Sequence, residues 1–189
     1  MPKRIPHLSE AIVANATQLF CRLGYDAVDM KHVAAEAGTS VGNLYNYFPS
    51  KPALFLAIKD RWKNQLFEAC REILTSQLPR RERVLSVLRR FYDDISEWRG
   101  LWQEFMGGRE ERKHVFEFKA KKGGHPWELG PEELELMAML DALLLDQPLA
   151  QPPYRWAFLV ITATLQLAAR HPQFREDNWK FLETLVDKI

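Results

Sequence analysis

The side chains best equipped for chemistry cluster between positions 39 and 51: Thr39, Ser40, Asn43, Tyr45, Tyr47 and Lys51. None of them forms a nucleophile–base pair. They are hydroxyls, an amide and one ammonium, gathered around a short helical stretch, Val41 to Tyr47. Leu44 and Phe48, four apart, can anchor that stretch inward, leaving Val41, Asn43, Tyr45 and Tyr47 to project outward. Gly42 lies among them, where any side chain would obstruct close approach of a partner. Ser40 can cap the stretch, and Lys51 places a positive charge at the start of the next helix; helix N-termini with such groups attract anions. The chemistry implied is non-covalent recognition of a polar, anionic surface.

Catalytic and metal arrangements are missing from the pattern. His114 and His125 lack the i, i+4 spacing of a zinc helix, and no glycine-rich phosphate loop or nucleophile elbow occurs. Glu132, Glu133 and Glu135 fall in the first turn of a helix, where acidic residues are favoured by the dipole and solvated. Cys21 and Cys70 are 49 positions apart and read as small buried hydrophobes. The expectation is a protein with no catalytic residue, no metal and no cofactor.

The elements that must position the 39–51 cluster are helical. Leu8, Ile12, Ala16, Leu19, Phe20 and Leu23 make one face at three- and four-residue steps, with Gly24 as a left-handed cap. Asp29 stands before Met30, Val33, Ala34 and Ala37, predicting a capped short helix stopped by Gly38. Ser50 opens a longer helix with the stripe Leu54, Ile58, Trp62, Leu66, Cys70 and Ile73. Beyond it lie a helix around Val84 to Trp98, one from near Pro131 to Gln147, and two last helices, roughly Tyr154 to Arg170 and Gln173 to Lys188. No strand-like alternation bounded by hairpin signals is present. The reading is all-α, with nine or ten helices.

Composition agrees. A chain of 189 residues, 47% hydrophobic and 27% charged, is globular and holds one ordinary domain or two small ones. Residues 1–66 carry eight Lys/Arg against five Asp/Glu, whereas the remainder carries eighteen against twenty. A mildly basic first third is compatible with nucleic acid. The N-terminus lacks an apolar signal core, and the longest apolar run, Trp156 to Ala169, is too short and too interrupted to span a bilayer. A soluble, cytoplasmic protein with no membrane role is expected.

Two short helices joined at Gly38 form a helix-turn-helix pattern. Gly24-Tyr25, Met30, Val33-Ala34, Ala37-Gly38, Ser40, Gly42, Leu44-Tyr45, Tyr47-Phe48, Ser50-Lys51 and Leu54 fall in one register. In that register the chain resembles the tetracycline-repressor (TetR) family over about residues 8–60. The resemblance implies an N-terminal three-helix DNA-binding domain, residues 1–50, and a C-terminal helical ligand-binding and dimerisation domain, residues 51–189. It further implies DNA contacts from Thr39, Ser40, Val41, Gly42, Asn43, Tyr45, Tyr47 and Lys51. Asp29 stands where the family usually has Ser/Thr; it can cap the helix but would repel a phosphate. Asn43 replaces a common Thr/Ser and brings an amide able to pair bidentately with adenine.

Aromatic residues are dense from Phe91 to Phe118. In resembling proteins this region lines a ligand cavity, which implies Tyr92, Trp98, Trp102, Phe105, Met106, Phe116 and Trp127 as ligand-binding candidates. Such area favours an apolar or aromatic effector. The leading expectation is a homodimeric regulator of transcription, a repressor released from a palindromic double-stranded DNA operator by a small molecule. The rival readings are a regulator of the same fold controlled by a protein partner, and a helical lipid-binding module that does not bind DNA.

Overall fold

The computed structural model describes residues 7–98, 101, 130–147 and 154–189. Among them the chain forms eight α-helices and no strand: α1 (Leu8–Leu23), α2 (Met30–Glu36), α3 (Val41–Tyr47), α4 (Lys51–Thr75), α5 (Arg80–Glu97), α6 (Pro131–Leu145), α7 (Arg155–Arg170) and α8 (Arg175–Val186). A single 3-10 turn, Pro172–Phe174, precedes α8. The helices fall into two compact units. The first holds the described residues up to Lys63, with Trp98 and Leu101; the second holds Asn64–Glu97 and the described residues from Gly130 onward.

The first unit is built around residues that the 3.6-residue period places on facing stripes. Ile12, Ala16 and Phe20 of α1, Val33 of α2, Leu44 of α3, and Leu54 and Ile58 of α4 are all buried. Phe20, Tyr25 and Phe55 close the core as an aromatic trio, with Tyr25 and Phe55 centroids 5.0 Å apart in an edge-on arrangement. Trp98 is half-buried against this core and lies 5.7 Å from the Trp62 ring, centroid to centroid.

In the second unit α7 packs on α5, α6 and α8. Val87, Leu88, Ile95, Leu140, Val160, Ala168 and Leu182 make its apolar interior. Two polar links tie the helices together. The buried Asp141 carboxylate on α6 accepts the Ala157 N–H at 2.7 Å and so caps the start of α7. The Asn178 amide of α8 donates to the Tyr92 hydroxyl at 3.1 Å and to the His171 carbonyl at 2.7 Å. Burial pushes the Cys70 thiol up to about 12, so it behaves as the inert small hydrophobe its position in the stripe predicts.

Candidate nucleic-acid interface

The two short helices are set by local chemistry. Asp29 caps α2: its carboxylate accepts the Lys31 and His32 N–H groups at 2.9 and 2.8 Å. His32 returns the contact, its Nδ1 accepting the Asp29 N–H at 3.4 Å, which completes a capping box with an imidazole in place of the usual Glu/Gln. These bonds to the charged form hold the Asp29 carboxyl below the ordinary carboxylate value. His32 is not among the residues singled out from sequence; its place three positions after the cap is the signal that marks it.

The turn between the helices is a Schellman motif. Gly38 takes a left-handed φ of +62°, the Gly38 N–H bonds the Ala35 carbonyl at 3.2 Å, and the Thr39 N–H bonds the Ala34 carbonyl at 2.9 Å. Ser40 then begins α3, its Oγ accepting the Asn43 N–H at 3.1 Å. The Asn43 side chain reaches back one turn, and its amide donates to Thr39 Oγ1 at 3.0 Å. The Ser50 hydroxyl likewise accepts the Ala53 N–H at the start of α4.

Burial sorts the residues of α3. Leu44 is fully inside, while Val41 and Tyr47 are half-buried against the same core. That differs from the outward projection expected of those two, and the reason is geometric: Val41, Leu44 and Tyr47 stand at three-residue steps and share the inner face. Gly42, Tyr45 and Asn46, at i, i+3 and i+4, form the exposed face, with Asn43 half-exposed beside them. Tyr45 is 47% exposed. Asn46 was not singled out from sequence, although its spacing from Gly42 places it on the same side. Thr39 is half-buried and Ser40 exposed. The Lys51 ammonium lies 4.0 Å from the centroid of the Tyr25 ring, a cation–π contact that holds it at the first turn of α4.

The aromatic candidates are placed differently. Tyr92 is buried in the second unit, its hydroxyl engaged by Asn178, and Trp98 belongs to the first unit. Trp102, Phe105, Met106, Phe116 and Trp127 lie outside the described residues. A cavity of about 310 Å³ in the second unit is bordered by Leu74, Met139 and Leu143 together with Arg80 and Arg83, and by neither Tyr92 nor Trp98. Among the described residues no helix is long and apolar enough to cross a membrane.

A capped short helix, a glycine turn and a second capped helix with a polar outer face, all on one small core, define a helix-turn-helix domain joined to a helical domain. Residues 12–58 match the family model described as bacterial regulatory proteins, tetR family. The match is confined to the helix-turn-helix domain and the start of α4, and over these residues the chain is similar to that family's N-terminal domain. A segment of 80 residues, 42% of the chain, is 34% identical to the HTH-type transcriptional activator FasR of Mycolicibacterium smegmatis and spans 36% of that protein's length. A transcriptional regulator of the TetR/AcrR family from Thermobifida fusca shares the fold with a TM-score of 0.64 at 20% identity, over 94% of this chain and 95% of that one. Thermus thermophilus FadR, a TetR-family transcriptional repressor solved with lauroyl-CoA, does so with a TM-score of 0.58 at 20% identity, over 95% and 91% of the two chains.

Proposed function

We propose that this chain is a homodimeric, cytoplasmic transcriptional repressor that reads a palindromic operator through α3 and leaves it when an apolar or aromatic small molecule binds the helical region beyond residue 50. The observation that carries the reading is the α3 surface: Gly42, Tyr45 and Asn46, with Asn43 half-exposed beside them, face outward on a helix capped at its start by Ser40 and set against a capped α2 through the Gly38 turn. In a helix-turn-helix, the second helix enters the major groove and its N-terminal residues reach base edges. Asn43 is then the base reader, Tyr45 and Lys51 are phosphate contacts, and Gly42 permits close approach.

Dimerisation has support of its own. Trp156, Phe158 and Leu159 on α7, Phe174 beside α8 and Phe181 on α8 are 40–61% exposed, more large apolar surface than scattered singletons account for. A second copy covering these residues generates two-fold symmetry, and hence a palindromic site with half-sites one helical turn apart. Other residues of the same two helices divide between the interior and the surface. Leu182 is fully buried within its own unit and Trp179 is half-buried under the Arg89 guanidinium, while Thr162, Ala163, Gln166 and Ala169 remain half-exposed.

Selection of binding sequences from random double-stranded DNA tests the reading. The expected product is a two-fold symmetric site bound at least a thousandfold (about 10³) more tightly than random DNA, the lower bound of ordinary specific recognition. Failure to enrich any sequence would remove the DNA-reading function. A screen of apolar and aromatic compounds on the operator complex then tests release: a ligand must favour the DNA-incompetent state to act, and a hundredfold preference corresponds to about 2.7 kcal/mol.

A further inference from the structure

Thr39 counts among the DNA-binding candidates as a direct contact. The geometry points to a different role: we infer that Thr39 is a positioning residue that holds the Asn43 amide in its adenine-reading orientation, so that the turn, and not α3 alone, sets specificity at that base. The inference rests on the proposed reading of DNA through α3.

Three bonds carry it. The Thr39 N–H is tied to the Ala34 carbonyl at 2.9 Å, which fixes the Thr39 backbone relative to α2. The Thr39 hydroxyl accepts from Asn43 Nδ2 at 3.0 Å, and the Ser40 hydroxyl accepts from the Asn43 backbone N–H at 3.1 Å. Residues 39 and 40 therefore clamp Asn43 at side chain and main chain together. A primary amide has two N–H donors and one carbonyl acceptor. With one N–H engaged by Thr39, one donor and the carbonyl remain, and these are what the adenine edge requires: N7 accepts and the N6 amino group donates. Guanine presents two acceptors on the same edge, N7 and O6, so an amide held with its carbonyl outward meets O6 with like polarity. Freezing the rotamer before binding also removes the ordering cost that a free asparagine would meet on the DNA.

The test uses the full chain and the operator it selects from random DNA, with four proteins: Thr39→Val, Thr39→Ser, Asn43→Ala and the Thr39→Val/Asn43→Ala double variant. Thr39→Val keeps the shape and loses the hydroxyl; Thr39→Ser keeps the hydroxyl. Expected is a five- to tenfold weaker operator complex for Thr39→Val, with affinity for random DNA and the salt slope unchanged, and with the preference for adenine over guanine at the Asn43 position reduced. Thr39→Ser stays within twofold of the parent. In the Asn43→Ala background the valine substitution has no further effect. Equal losses for Thr39→Val and Thr39→Ser would overturn the inference, as would a Thr39→Val loss that persists in the Asn43→Ala background or extends to random DNA. Each of those results makes Thr39 a direct contact or a fold determinant. If the parent selects an operator and Thr39→Val binds it normally, only this inference falls; if the parent selects none, the reading beneath it falls too.

Discussion

Two glycines in the helix-turn-helix allow the same substitution to be read with opposite signs. At both Gly38 and Gly42 an added Cβ meets no atom within 4 Å, so steric clash contributes at neither. Gly38 has a φ of +62°, and alanine there takes on the left-handed penalty of about 1–2 kcal/mol. Gly42 sits in the first turn of α3 with ordinary helical backbone, where alanine is better than glycine by about 0.5–1 kcal/mol. At about 2–4 °C per kcal/mol for a chain of this size, Gly38→Ala should therefore lower the melting temperature by roughly 2–8 °C and Gly42→Ala raise it by roughly 1–4 °C. DNA binding should not follow stability. The Gly42 methyl projects from the exposed face, and overfilling a tight interface costs about 1–3 kcal/mol, which weakens the operator complex roughly 5- to 150-fold. Calorimetry and operator titration on the two variants decide the matter. A more stable Gly42→Ala protein that binds the operator as tightly as the parent would show that this face does not meet DNA. A less stable one would refute the assignment of α3 itself.

Other expectations are simpler to state. Lys51→Ala should weaken binding to operator and random DNA alike and reduce the slope of log K against log salt by about one, measured by titration at several ionic strengths. Asp141→Ala should destabilise the chain by about 1–3 kcal/mol in denaturant unfolding, since it leaves the buried Ala157 N–H without its acceptor. Phe158→Asp, at the most exposed of the large apolar side chains, should shift sedimentation at micromolar concentration from dimer to monomer without lowering helix content. The Asp29 cap has a sign in pH: its carboxyl is held below the ordinary value, so its contribution is present above that value and is lost as pH falls through the depressed one. Asp29→Asn, which keeps an acceptor oxygen but cannot titrate, should show a smaller fall in melting temperature between pH 5 and pH 3.

Legibility in the sequence followed the range of the forces involved. The caps at Asp29, Ser40 and Ser50, the glycine turn at Gly38 and most of the inward stripes of α1 and α4 are contacts within four residues, and the structure has them where spacing predicts; the stripes fail only at their ends, where Leu23 is exposed and Leu74 is buried in place of Ile73. The division of α3 was read less well because two rules competed. The four-residue step from Leu44 to Phe48 accounts for only part of the inner face; the three-residue steps to Val41 and Tyr47 widen it and leave Asn46 outside. Long-range partners were invisible. Nothing local links Tyr92 to Asn178, 86 positions away, or predicts that a carboxylate on α6 would cap α7.

The same distinction bears on how a helix-turn-helix can change its preferred sequence. Asn43, the base reader we propose, presents donors and acceptors, but its amide is tied to a hydroxyl four positions back, in a turn whose backbone is tied to the preceding helix. Substituting the reader changes which base edge is matched. Substituting the turn changes how firmly the reader is held, and so the penalty for a mismatch, while the fold and the non-specific attraction to phosphate stay as they are. On the proposed reading, specificity and affinity for DNA are then adjustable at neighbouring but separate positions: residues 39 and 43 for the base, and Lys51 for the backbone.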